Sequence, residues 1–342
     1  MLKFSVGYQL RSDGKWVDSI IANKVNVNEV FFAPFDMPNG RTGEWVVRNN
    51  YSLVECLEMQ MRDLGQLAAA GVSLNVLFNA GCYGKLARSK QMLDGVVARI
   101  GVYRARFGLC SVTTTSPFIA EAVKESYPDV LIRASINMDI CSPQAMDYIA
   151  PYFDGYYLKR EFNRNIDMIK RMRRWCDVHG KQLLMLANSG CLNDCSVHTF
   201  HNNLVAHGNE IEDVDRRYPL RGCRDYLQRP GRLVSLVRDT NWIRPEDIHR
   251  YEGLFDSIKL ATRVNPFPER ILEAYVTGKY SGSIFDLTEP DHSFPLKGAR
   301  IENDLFPPDF GERVMCCDHR CERCGYCESV FAKVYHEKAV LS

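Results

Sequence analysis

The sequence predicts an α/β fold, a TIM-type (β/α)8 barrel with a small cysteine-rich C-terminal extension. Three observations carry this. Short apolar runs alternate with stretches of helical periodicity seven to eight times in series, the pattern of a parallel sheet covered by helices. The repeats occupy residues 1–280 of a 342-residue chain, a size at which α/β barrels form one domain. No Gly-x-Gly-x-x-Gly follows the first strand, which removes the usual sign of a doubly wound dinucleotide fold.

The elements follow in order. EVFFAPF (29–35) is strand-like, and YSLVECLEMQMRDLGQLAAAG (51–71) has apolar residues at helical spacing and stops at Gly71. The strand SLNVLFNAG (73–81) precedes the helical 88–108, and LCSVTTTS (109–116) is the next strand. Two helices then open on Ser-Pro, at Ser116 and Ser142, with serine as N-cap and proline at the first helical position. Between and after them VLIRASINM (130–138) and DGYYLKREFN (154–163) are strands. A helix over 163–180 closes at Gly180, KQLLMLANSG (181–190) is a strand, IRPEDIHRYEGL (243–254) is helical, FDSIKLATR (255–263) is a strand, and 266–280 is the last helix. Residues 281–315 are rich in Pro, Gly and Asp and read as an extended linker or wrap; 316–342 form the cysteine-rich tail.

Composition sets limits. The chain is 46% hydrophobic, enough for a sizeable core. Its net charge of +1 gives no global pull toward nucleic acid or membrane. The basic RMRRWC reads as a solvated helix face, offset by the acidic NEIEDVD (209–215). No run of 18 apolar residues occurs and the N-terminus lacks a continuous apolar stretch, so neither a membrane span nor a signal peptide is expected. The expected location is the cytoplasm, where thiols stay reduced and clustered cysteines point to metal or catalysis. Of the 13 cysteines, Cys56 and Cys176 sit in apolar runs and read as core filler.

In such a barrel the active site lies at the C-terminal ends of the strands. That end should collect Asn79, Cys82 and Tyr83, then Thr113 to Ser116, Asn137 and Asp139, then Lys159, Arg160, Glu161 and Asn163, and finally Lys259, Thr262 and Arg263. Cys191 and Cys195 in NSGCLNDCSVHTFHNN (188–203) fall on the same end, and Cys223 follows. Thiolates bind soft metals, so Cys191, Cys195 and Cys223 suit a 4Fe–4S cluster better than zinc. Cys82 is the fourth candidate by position, with Cys110 and Cys141 competing. A pair of ordinary loop cysteines stays open as the plain alternative. His198 and His201 share a helix face at i, i+3, either as acid/base groups or as packing beside the cysteines.

The tail pattern is tighter: Cys317-x3-Cys321-x2-Cys324-x2-Cys327, with Cys316 adjacent. Four cysteines in so short a run resemble cluster-wrapping ferredoxin segments, so a second 4Fe–4S cluster, or a zinc knuckle, is expected there. The spacing also matches the radical S-adenosylmethionine motif, but that motif belongs after a first barrel strand and here follows the barrel.

YYLKREFNRNIDMIKRM, NSGCLNDCSVHTF with the later Gly222-Cys223, and WIRPEDIHRYEGLFDSIKLATR together resemble the collagenase-like peptidase family. The resemblance covers most of residues 29–280. Several members of that family look like iron–sulfur proteins of oxygen-independent hydroxylation, acting on ubiquinone precursors, transfer RNA or ribosomal RNA. What the resemblance implies is a 4Fe–4S cluster on four cysteines with a small oxygen donor such as prephenate. Residue by residue, Cys191, Cys195 and Cys223 match the cysteine signature, and Arg160 and Glu161 match the Arg-Glu. The cysteine spacing departs from the usual one and the cysteine tail is extra.

Three readings follow. The leading one is an iron–sulfur enzyme of hydroxylation or sulfur/oxygen insertion, taking a small or carrier-bound substrate. In it Arg160, Lys159 and Lys259 hold carboxylate or phosphate, and Glu161 or His198 moves protons. The second is a peptidase or other hydrolase using zinc or a cysteine. The third is a non-catalytic electron-transfer or assembly partner, working with an electron donor or a second subunit. No membrane partner is expected, and nucleic acid is not indicated by charge.

Overall fold

The computed structural model describes residues 2–35, 37, 51–207, 222–292, 296, 298–318 and 320–337. Eight parallel strands close a barrel in chain order. They are β1 (Phe4–Gly7), β2 (Val27–Phe32), β3 (Ser73–Phe78), β4 (Ser111–Thr114), β5 (Leu131–Ala134), β6 (Gly155–Tyr157), β7 (Gln182–Leu186) and β8 (Ser257–Leu260). The TIM-type barrel expected from the sequence is therefore found. Seven of the strands match apolar runs read above. The eighth, β1, escaped that reading because it is four residues long and contains Ser5 and Gly7. It closes the barrel by pairing with β2 on one side and β8 on the other.

Local chemistry sets the helices between the strands. Ser52 and Glu55 form a reciprocal capping box at the start of Leu53–Ala69. Ser116 and Ser142 accept from the Ile119 and Ala145 amides, each with proline at the first helical position. Two expected helices come out differently. The second Ser-Pro segment runs as α-helix only over Pro143–Asp147, because Pro151 cannot continue the hydrogen-bond ladder. The segment after Ile243 is a 3-10 helix, Pro245–Tyr251, bounded by Gly253 at φ 78. The acidic run 209–215 lies outside the described residues.

Strand alternation divides the side chains. Val6, Val30, Val76, Val112, Ile132, Tyr156 and Ile258 face outward into the main apolar core beneath the helices. Cys56 and Cys176 are buried in that core, as filler. The lumen is polar at its N-terminal end. There Glu29 accepts from Ser5 Oγ at 3.0 Å, Asn75 Nδ2 at 3.0 Å and Ser111 Oγ at 2.9 Å, and pairs with Arg133. Above this layer Phe31 and Leu77 pack together, as do Tyr157, Leu184 and Leu186.

Beyond the barrel the chain folds back over the C-terminal ends of the strands. A short antiparallel ladder, β9 (Arg300–Ile301) with β10 (Tyr335–His336), ties its ends together. Helices Phe310–Met315, Cys321–Cys324 and Tyr326–Val334 complete it. A second apolar cluster holds it to the barrel: Leu192, Trp242, Phe285, Phe306, Phe310 and Val330 are all buried together. The described residues between 281 and 315 thus pack against the barrel end through Phe285, Ile301, Phe306 and Phe310. Among the described residues no helix is long and apolar enough to cross a membrane.

Candidate active site

The chain leaves β6 through a 3-10 turn, Arg160–Phe162. Asn163 fixes that turn: its Nδ2 donates to the Leu186 carbonyl at 2.7 Å and the Asn241 carbonyl at 3.1 Å, and its own carbonyl accepts from Tyr251 Oη at 2.8 Å. So anchored, the turn presents Lys159, Arg160 and Glu161 at the barrel mouth. Lys159 Nζ lies 3.9 Å from Glu161 Oε1. From the end of β5 comes Asp139, held in a left-handed conformation at φ 49, which for a residue other than glycine marks local strain. Its Oδ2 is 3.5 Å from His198 Nδ1, and His198 Nε2 is 3.2 Å from Asn202 Nδ2. Burial opposes the charge of Asp139, but the His198 hydrogen bond and the Arg160, His198 and Lys159 charges outweigh it and hold the carboxyl below its usual range.

This group is incomplete by itself. Arg160 is 7% exposed, yet among the described residues its Nε and Nη2 have no hydrogen-bond partner, nor do Asp139 Oδ1 and Glu161 Oε2. Buried polar atoms in folded proteins nearly always find partners. Two unspent guanidinium donors beside unspent carboxylate oxygens form a site shaped for a polar ligand.

The cysteine loop lies on the same end. Asn188, at the end of β7, bonds both the Ala261 backbone and the Leu287 carbonyl. From there the loop is buttressed by the wrap. Ser189 bridges Glu289, the Gly190 amide donates to the Glu289 carbonyl at 3.0 Å, and buried His292 sits 2.8 Å from the Gly190 carbonyl. Asn193 contacts Asn241 and the Asp239 carbonyl. Asp194, between the two cysteines, is left-handed at φ 52. Gly222 packs on Val197 so closely that a Cβ would collide with it, which sets Cys223 beside the loop. Burial raises the Cys223 thiol, and the neighbouring Cys191 and Cys195 raise it further. The three thiols therefore share one neighbourhood.

The structure separates the other candidates. Cys110 stands before Ser111, the first residue of β4, and is exposed with its thiol donating to the Gly108 carbonyl. It lies at the N-terminal end of the barrel, the end opposite the site, so it is no fourth ligand. Cys82 is on the right end, in a loop packed on the Asn202 backbone through Gly81, and its sulfur accepts from the Gly84 amide at 3.3 Å. Cys141 is exposed beyond β5. Lys259, expected to hold a substrate anion, is 7% exposed inside the lumen, with Nζ 3.7 Å from the Phe31 ring centre and 5.2 Å from that of Tyr157. His201 is exposed on the helix His198–Ala206.

The chain is 23% identical over 275 residues to an uncharacterized protease of Methanocaldococcus jannaschii, a match spanning 78% of each chain. Its fold is similar to that of a U32 peptidase of known structure, with TM-score 0.55 and 15% identity, over 76% of this chain and 92% of the peptidase. No protein-family model matches the chain. Both relatives are named for proteolysis; neither name mentions a cluster or a hydroxylation.

The donor set can be tested against the groups expected from the sequence. Among the described residues no three His, Cys, Asp or Glu side chains are grouped to share one metal ion. Three thiols in one neighbourhood do suit an iron–sulfur cluster, where each thiolate takes a separate iron. His198 does not suit a thiol's base in this geometry, because Asp139 and Asn202 face its two ring nitrogens.

Proposed function

We propose that the chain is an enzyme of the U32, collagenase-like peptidase type, acting at the barrel mouth on a carboxylate- or amide-bearing substrate. The observation that carries this reading is the unsatisfied group of Arg160, Asp139 and Glu161. Hydrolysis of a peptide is the reaction that the names of the two relatives support. Glu161 Oε2 accepts a proton from water as the water oxygen attacks the carbonyl carbon. The oxyanion that forms is received by the Arg160 Nε and Nη2 donors, a role in which fixed donors contribute most. Collapse breaks the C–N bond, and Glu161 returns its proton to the leaving amine. Asp139 keeps His198 in place at the rim.

A second reading is favoured by the convergence of Cys191, Cys195 and Cys223. These three would hold a 4Fe–4S cluster at the mouth, with Cys82 or Cys141 as the fourth ligand or one iron left open. When bound, such a cluster supplies redox or Lewis-acid chemistry for hydroxylation or atom transfer. Arg160 would then bind the substrate's carboxylate and Glu161 or His198 would move its proton, in the same positions as above. One experiment divides the two: a peptide mixture is incubated with protein prepared without oxygen, and products are read by mass spectrometry for the unaltered chain, Glu161→Gln and Cys191→Ser. Hydrolysis lost with Glu161→Gln and kept with Cys191→Ser supports the first reading. Hydrolysis that survives Glu161→Gln sinks it. No hydrolysis, with iron and sulfide bound and lost in Cys191→Ser, supports the second.

A further inference from the structure

The tail cysteines stand apart from the mouth, and neither reading above uses them. Cys317, Cys321, Cys324 and Cys327 all line one cavity of about 440 Å3. The backbone brings them there by simple means. Cys321 and Cys324 are the two ends of one helical turn, and Gly325, left-handed at φ 63, redirects the chain into the helix Tyr326–Val334. Cys316 forms a backbone bridge with Asn165 on the barrel, which fixes the position of Cys317. None of the four is in a disulfide.

A second, independent observation is Arg164. It is 3% exposed, lies over the Trp242 ring at 4.6 Å and the Phe310 ring at 5.5 Å, and donates to the Val237 and Trp242 carbonyls at 2.8 Å. Its Nε has no hydrogen-bond partner, and no carboxylate forms an ion pair with it among the described residues. A buried cation without a directly paired counter-charge is costly, and the Asp247 carboxylate acts on this one without pairing with it. The thiols of Cys327 and Cys317 are close enough to act on its charge. As neutral thiols they offer it little, whereas as thiolates around a metal centre they add negative charge facing it. At the cavity's rim Arg238 and Arg313 add positive charge, though each already has a carboxylate partner.

We infer that Cys317, Cys321, Cys324 and Cys327 hold a four-iron, four-sulfide cluster in this cavity, with Arg164 facing its negative charge. A cluster gives each thiolate its own iron and suits a cavity of this size.

The test uses the full chain purified without oxygen from iron-supplied cells, in three forms besides the unaltered one. Cys191→Ser/Cys195→Ser/Cys223→Ser removes the mouth thiols and should keep about four iron and four sulfide per chain, the stoichiometry of one cubane. Cys324→Ser, at an exposed position, should lose that set or convert it to a form with a different EPR spectrum. Arg164→Gln should bind the cluster at a lower reduction potential in a dithionite titration, since a nearby cation favours the more negative, reduced state. Iron and sulfide absent from the unaltered chain, or zinc in their place, overturns the inference. So does a Cys324→Ser chain with an unchanged spectrum and iron content. An unchanged potential in Arg164→Gln overturns the role given to that residue.

Discussion

Arg133→Met is the substitution whose outcome the structure fixes most tightly. It leaves Glu29 in the lumen, 3% exposed, with three neutral donors at 2.9 to 3.0 Å and no cation. Removing one partner of a buried ion pair costs about 3–5 kcal/mol, mostly from the charge left behind. At about 2.1 cal/mol/K per residue, a 342-residue chain has an unfolding entropy of roughly 0.7 kcal/mol/K. The melting temperature should therefore fall by about 4–7 °C near neutral pH, read by calorimetry or circular dichroism. The pH dependence carries its own sign. Burial opposes the charge of Glu29, and Arg133 with the donors outweighs it and holds the carboxyl low. In the unaltered chain that contribution is present above glutamate's ordinary pKa and is lost as pH falls through the lower folded value. In Arg133→Met the three neutral donors remain but the cation is gone, so the carboxyl rises relative to the unaltered chain and the variant's deficit narrows toward acid. Glu29→Gln/Arg133→Met should recover much of the loss, because no buried charge remains. A single variant that melts within about 1 °C of the unaltered chain, less than 1 kcal/mol on the same scale, would refute the reasoning. So would a double variant no more stable than the single one.

Two further outcomes follow from the mouth. Gly190→Ala places a Cβ on the Pro290 carbonyl oxygen, so the wrap must shift off the cysteine loop; a cost of about 1–3 kcal/mol is expected from overpacking, with faster proteolysis within residues 188–195. Normal melting and unchanged proteolysis would show that the contact relaxes freely. Cys110→Ser, at the far end of the barrel, should leave iron content and activity unchanged, whereas under the cluster reading Cys195→Ser should lower iron binding at the mouth; a loss of iron in Cys110→Ser would contradict the placement of that residue.

Much of the barrel was legible because outward-facing valines and isoleucines recur within short runs, as in SLNVLF and SIKL. β1 was not, since Phe4–Gly7 becomes a strand only through pairing with partners 23 and more than 250 residues distant in sequence, such as Val27 and Ile258. The polar lumen was equally hidden. Glu29, Asn75 and Arg133 occupy strand positions where an alternating pattern reads as solvent-facing. At the mouth, strand-end position pointed to Asp139, Arg160 and Glu161 before any coordinates, but nothing local says that their polar atoms stay unpaired. Lys259 turns into the lumen against Phe31 and Tyr157, a contact no local pattern in SIKLATR signals. Arg164 gave no signal at all: in sequence it is one more arginine near a basic helix, and only Trp242, Phe310 and the tail reveal it as buried.

The contact between the wrap and the Cys191 loop also bears on when the site comes into being. Residues 188–190 are held by Leu287, Glu289 and His292, about a hundred positions later in the chain. A nascent chain leaves the ribosome from its N-terminus onward, so every barrel strand can be in place while this loop still lacks its support. The mouth is finished only after residues 287–292 have emerged and docked, and any ligand of the cysteine loop meets its completed seat late in synthesis or after release.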